Sequence, residues 1–240
     1  MPQFKPAGDK AVLIEFEQII SEETSARIRH ITSNIENSKN PAVIEIIPAY
    51  ASICVTYDPC MTDYDAFTEF LSSFLIKSSD NDFASATVFE IPVLYNHETG
   101  PDLRFVSEHC KLLVDEIISI HTSSEYLIYM LGFAPGFPYL GGMDERISTP
   151  RLKVPRTKIK AGSVGIAGSQ TGMYPLESPG GWQLIGQTPI KLYDPNRTPA
   201  VYYSAGDYIK YRAIDTSEFE NIQKSVRSGT YEVKSWEKLR

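Results

Sequence analysis

The chain has 240 residues, 42% of them hydrophobic and 22% charged, and its 23 Lys and Arg against 30 Asp and Glu leave a net charge of −7. This is the composition of a folded globular protein long enough for one large core or two smaller ones, and it excludes a largely disordered chain. The acidic balance also excludes the broad positive field that a nucleic-acid backbone needs.

Three cysteines, Cys54, Cys60 and Cys110, form no CxxC pair and argue against a disulfide scaffold. The opening MPQFKPAGDK lacks the apolar stretch of a secretory leader, and no apolar run reaches the ~18 residues of a membrane helix. The cytoplasm is the expected location.

The first third alternates strands and helices. Ala11–Phe16 suits a strand. Ser21 can cap a helix to about Asn37, with Ile28, Ile31 and Ile35 on one face. Ala42–Pro48 and Ser52–Tyr57 read as a hairpin. Thr62 and Asp65 form a capping-box pattern that opens a second helix, with Phe67, Phe70, Leu71, Phe74 and Leu75 inward. A strand near Thr87–Leu94 would close a split βαβ sandwich. Polar Ser78–Ser85 reads as a linker, so residues 1–85 are expected to form a small α+β domain and residues 86–240 a second domain.

Glycine marks the change: Gly8 is the only one of 15 before Gly100. Asp102–Cys110 and Val114–His121 read as short helices. The runs YLIYMLGF, SVGIAG, WQLIG, PIKLYD, AVYYS and DYIKYRAI then predict a closed or nearly closed β-barrel, and Ser217–Ser225 a terminal helix.

Three segments carry candidate chemistry. GFAPGFPYLGG (Gly132–Gly142) packs four glycines, two prolines and three aromatics into eleven residues. It is either a rigid rim presenting Phe133, Phe137 and Tyr139 or a tight crossover with buried aromatics. RLKVPRTKIK (Arg151–Lys160) holds five basic residues and no acid. Arg156, Lys158 and Lys160 would share one strand face, as an anion-binding patch or as a charged edge that deters aggregation. Ala161–Gly186 holds seven glycines, with no P-loop and no GxSxG elbow. Backbone amides near Gly162–Gly165 and Gly180–Gly181 are its candidate anion donors, Gln170, Thr171 and Tyr174 its orienting groups, and Ser178 opens a turn. The four histidines have no metal-ligand spacing, so no metal is expected. Two of them, His109 and His121, lie near helix ends, and His121 is either a general base or a packing and capping residue.

GFAPGFPYLGG, then TPR, VPR and AGSVGIAGSQTGMYPLESPGGWQLIGQTP, closely resemble the signature of the 5-oxoprolinase B-subunit family, also called KipI-like or allophanate hydrolase subunit 1. The resemblance extends to PAGDKAVLIEF, IIPAYASICVTYDP and IPVLYNHETGPDL, nearly the whole chain. One departure is Ile159-Lys160 where the family has Val-Pro.

The resemblance implies an N-terminal α+β domain followed by a cyclophilin-like β-barrel. It implies a protein inactive alone that pairs with the KipA-like C subunit of 5-oxoprolinase. The pair shares ATP to activate 5-oxoproline, which the enzyme's A subunit hydrolyses to L-glutamate. An unactivated lactam is a poor electrophile, and phosphorylating its oxygen creates a leaving group. The family's other branch inhibits sensor histidine kinase autophosphorylation, which is the alternative role; prolyl isomerisation would rest on the barrel alone. The ligand cleft expected on this reading comprises Phe133, Phe137, Tyr139, Arg151, Arg156, Gly162, Ser163, Gly165, Gln170, Thr171, Tyr174, Ser178, Gly180, Gly181 and Trp182, with no single catalytic side chain assigned.

Overall fold

The structure is a computed structural model that describes residues 2–17, 19, 21–75 and 86–238. It divides into two compact units, Met1–Ala84 and Ser85–Arg240. The predicted linker Ser78–Ser85 lies outside the described residues.

In the first unit the elements are β1 (Gln3–Pro6), β2 (Ala11–Glu15), α1 (Glu22–Asn37), β3 (Val43–Pro48), β4 (Ser52–Tyr57) and α2 (Tyr64–Leu75). The sheet order is β1-β2-β4-β3. Both β2 and β3 run antiparallel to β4, so they are parallel to each other and α1 is the crossover of a split βαβ unit. Alternation along β4 sends Ile53, Val55 and Tyr57 inward against Ile28, Ile31 and Ile35 of α1. The Ser21 hydroxyl accepts the Thr24 amide at 3.1 Å, which fixes where α1 begins.

Two expectations change here. Asp63, not Thr62, caps α2, because its carboxylate accepts the Ala66 amide at 2.8 Å while Thr62 turns its hydroxyl to the Asp63 carbonyl. The strand that completes the sheet is β1, a mostly exposed Q-F-K-P segment with no alternation to betray it. The Thr87–Leu94 strand belongs to the second unit.

That unit contains β5 (Thr87–Leu94), α3 (Leu103–Cys110), α4 (Val114–Ser123), β6 (Glu125–Leu131), β7 (Pro138–Gly141), β8 (Arg156–Ile159), β9 (Ser163–Ala167), β10 (Gln170–Met173), β11 (Ser178–Gly180), β12 (Gln183–Gln187), β13 (Tyr208–Ile214), α5 (Thr216–Arg227) and β14 (Ser235–Glu237). The main path is β10-β9-β12-β5-β13-β6-β7, with β14 added to β5 and a separate β8-β11 ribbon. Its two ends approach: a Cβ on Gly172 of β10 would stand 3.4 Å from the Pro138 carbonyl oxygen of β7. The sheet is thus a nearly closed barrel, filled by residues such as Ile91, Val93, Tyr126, Ile128, Val164, Ile166, Ile185 and Tyr211.

PIKLYD and AVYYS are not barrel strands. A single bridge, Tyr193 to Val201, joins them. Arg197 takes the carbonyls a ladder would have used, donating to Lys191, Leu192, Pro199 and Ala200 while lying 3.6 Å from the Tyr202 ring centroid. Among the described residues no helix is long and apolar enough to cross a membrane.

Candidate functional site

The glycine-rich segments converge on one aromatic cluster. Phe137 is buried, and its ring meets Tyr139, Tyr174 and Trp182 edge-on at centroid distances of 5.3, 5.6 and 5.7 Å. Phe133 extends the cluster into solvent, 5.4 Å from Phe137. The Arg151 guanidinium lies 6.0 Å from the Trp182 ring centroid.

The indole of Trp182 rests on two paired glycines, Gly165 of β9 and Gly172 of β10. A Cβ on Gly172 would come within 3.0 Å of the indole, and one on Gly165 within 3.2 Å of the Trp182 Cβ. Burial pushes the Tyr174 phenol up to about 12, partly offset by the Trp182 amide and by Arg151 and Arg156. Tyr174 is therefore a neutral hydrogen-bonding group at ordinary pH.

Gly180 packs directly on this phenol: a Cβ there would lie 2.4 Å from the Tyr174 hydroxyl oxygen and 2.8 Å from Ile159 Cδ1. Gly181 accepts the Leu152 amide at 2.7 Å and so holds the start of the basic run against the cluster. Ile159 is buried here and Lys160 is exposed, so the departure at these positions places the apolar residue inward.

The basic run does not form one free patch. Arg156 bonds the Asp102 carboxylate at 2.7 Å and the Trp182 carbonyl at 3.3 Å. Lys158 pairs with Glu177 at 2.9 Å on the surface. Arg151 has no salt-bridge partner among the described residues and is the cation left over the aromatic wall.

The structure thus gathers Phe133, Phe137, Tyr139, Arg151, Arg156, Gly165, Tyr174, Gly180, Gly181 and Trp182. Ser178, in the same ribbon, keeps a buried hydroxyl without a hydrogen-bond partner among the described residues. Gly162 and Ser163 sit at the turn into β9, where their amides donate to the carbonyls of Tyr174 and Lys160. Those two amides are spent on backbone pairing and do not form the expected anion nest.

Gln170 opens β10, half-buried, and Thr171 points into the barrel. There the His121 Nε2 and the Thr171 hydroxyl are 2.7 Å apart, and His121 Nδ1 and the Tyr95 hydroxyl are also 2.7 Å apart. Thr171 donates to the Gly165 carbonyl at 3.1 Å, so the consistent chain runs Tyr95 O–H to Nδ1, then Nε2–H to Thr171. The His121 ring stacks on Tyr211 at 4.5 Å, and its carbonyl accepts the Tyr126 hydroxyl at 2.7 Å. Burial lowers His121 to about 3. It is a neutral packing residue, closed off from any substrate proton.

Sequence reading missed Asp102 and Tyr95. Asp102 stands at the N-cap of α3, yet its carboxylate serves β12 and Arg156 instead of the helix. Its one sequence signal is the G-P-D-L segment: Gly100 lies so close to β12 that a Cβ would sit 2.2 Å from the Ile185 carbonyl oxygen.

Comparison with known proteins adds the decisive observation. The family described as carboxyltransferase domain, subdomain C and D, matches residues 2–203. Proteins named as the B subunit of 5-oxoprolinase share 40% identity with it: that of Bacillus subtilis over 90% of this chain and 95% of its own length, that of Escherichia coli O157:H7 over 85% and 92%. The chain belongs to this family. A conserved uncharacterized protein of Pyrococcus horikoshii, known from a crystal structure, is 46% identical over 90% of this chain and all of that one, with a TM-score of 0.54. The urea amidolyase of Kluyveromyces lactis shares the fold, with a TM-score of 0.83 at 19% identity over 99% of this chain and 16% of the yeast enzyme.

Proposed function

We propose that this chain is the B subunit of an ATP-dependent 5-oxoprolinase, acting with the C subunit to activate the lactam and with the A subunit to release L-glutamate in the cytoplasm. The observation that carries the reading is the 40% identity to proteins of that name over most of both chains. On this reading the nearly closed barrel is cyclophilin-like, and its aromatic face is one wall of a cleft that the partner protein completes.

The chemistry of the wall fits the lactam better than the nucleotide. Phe133 and Tyr139 offer apolar surface, the buried Phe137, Tyr174 and Trp182 hold that surface in place, and Arg151 offers one positive charge for the single carboxylate of 5-oxoproline. A phosphate nest needs a row of free amides, and the amides of Gly162 and Ser163 are engaged. On this reading ATP is held chiefly by the partner. Activation consists of phosphorylating the lactam oxygen, and the role of these residues is to fix the substrate for it.

The test is co-expression with the cognate A and C subunits and a glutamate-release assay. ATP-dependent glutamate from the assembled complex, and little from this chain alone, is expected. An assembled complex that releases no glutamate from 5-oxoproline overturns the reading.

A further inference from the structure

Phe133, 66% exposed, packs on the aromatic cluster through Phe137, and Val154, 80% exposed, stands in the basic run that flanks it. Phe133 adopts φ +62°, a left-handed conformation that an aromatic residue rarely takes and that costs energy. Its loop is nonetheless fixed. The Gly132 amide donates to Phe137, the Phe137 amide to Ala134, and the Tyr203 hydroxyl to the Gly136 carbonyl at 2.8 Å. Val154 lies in a segment tied to Gly181 through the Leu152 amide, with the Pro155 ring against Gly181. Phe133 is thus carried on Phe137, and Val154 on a segment fixed at Gly181.

The run that carries Val154 also carries Arg151, Lys153 and Lys160, for which no salt-bridge partner stands among the described residues. Strain and exposure at Phe133 are both unfavourable while the ring faces water, and both are offset if a partner covers it.

We propose that Phe133 and Val154 are the anchors of a docking face whose occupant is a protein surface with an apolar pocket rimmed by carboxylates. Three cations with no acid in the same run call for an acidic rim. A ring locked in one geometry suits a pocket of fixed shape, since little is left to order on binding. An anionic bilayer is fluid and needs no ring of fixed geometry.

The probe is the C subunit, so the choice of partner rests on the function proposed above. Binding of the wild-type chain, Phe133→Gly/Val154→Ser and Lys153→Glu is measured at low and moderate salt, with thermal denaturation alongside. Phe133→Gly removes the ring while accepting the positive φ, so the fold is kept. The double variant is expected to bind at least ~30-fold more weakly with an unchanged melting temperature. Lys153→Glu is expected to slow association and flatten its salt dependence. If wild-type pairing survives the double substitution, this proposal falls and the functional reading stands. A wild-type chain that pairs with neither of the other two proteins sinks both. Loss of vesicle binding or of self-association on the same substitution, with pairing to the C subunit unchanged, would assign the face to a membrane or to a second copy and overturn the proposal.

Discussion

Arg156 Nη2 bonds Asp102 Oδ1 at 2.7 Å across 54 residues of sequence, joining β8 to the start of α3. The other oxygen of the same carboxylate accepts the Leu184 amide at 2.7 Å, and the Asp102 amide returns a bond to the Leu184 carbonyl at 3.0 Å. One acid therefore locks three elements, and the arginine that sequence pattern offered to a ligand is the charge that keeps this acid paired.

Removing that charge should cost stability first. Arg156→Ala leaves Asp102 largely buried without its cation, a loss of about 2 kcal/mol. A unit of this size should then melt about 4–8 °C lower. Activity is expected to fall only with the folded fraction. An unchanged melting temperature with kcat reduced tenfold or more would return Arg156 to the substrate.

Gly180 is a second place where structure redefines a sequence feature. Its missing Cβ makes room for the Tyr174 hydroxyl, so Gly180→Ala should overpack the cluster by about 1–3 kcal/mol and lower stability together with pairing. Tyr174→Phe removes the atom that would lie 2.4 Å away, and the double variant should recover part of the loss. Strictly additive effects in unfolding experiments would rule out this contact as the cause.

His121 predicts a pH dependence with a defined sign. Its folded value is about 3 against an ordinary 6.5, so the unfolded chain binds a proton that the folded chain refuses. The stability this gives is present above pH 6.5 and is lost as pH falls toward 3, at about 1.4 kcal/mol per pH unit. Denaturant unfolding at pH 7, 6 and 5 should show His121→Gln less stable at pH 7 but with a shallower acid decline. Parallel declines in the two proteins would mean that other groups drive acid unfolding.

These cases show what the sequence could and could not reveal. Period-two and period-3.6 patterns place β4, α1, α4 and α5 closely, because burial on one face imposes the period. They fail where long-range polar bonds replace the ladder: PIKLYD and AVYYS are apolar enough for strands, but Arg197 holds their carbonyls. Whereas β8 was legible as an extended charged segment, the short strands β7, β10 and β11 are hidden for a related reason. Their glycines and prolines read as turns, yet the glycines of β9 and β10 are there to seat Trp182 and that of β11 to admit Tyr174. The aromatic rim was legible as a dense Gly-Pro-aromatic motif. The division of labour among its cations was not, since Asp102 and Glu177 meet them only in three dimensions.

Arg151 is the cation with the freedom to meet a ligand. Its guanidinium rests over Trp182 at 6.0 Å, a contact worth about 0.5–1 kcal/mol at an exposed site, and it carries no ion pair among the described residues. Arg151→Gln should therefore leave the melting temperature within about 4 °C of wild type. On the function proposed above, the same change in the assembled complex would remove a charge-assisted bond to the substrate carboxylate, worth about 1.5–3 kcal/mol. KM for 5-oxoproline should then rise at least ~10-fold while KM for ATP stays constant, because the lactam and not the nucleotide faces this wall. Lysine keeps the charge but loses the planar fork, so Arg151→Lys should recover only part of the affinity. A rise in KM for ATP alone would move the nucleotide onto this chain, and unchanged constants for both substrates would remove Arg151 from the site.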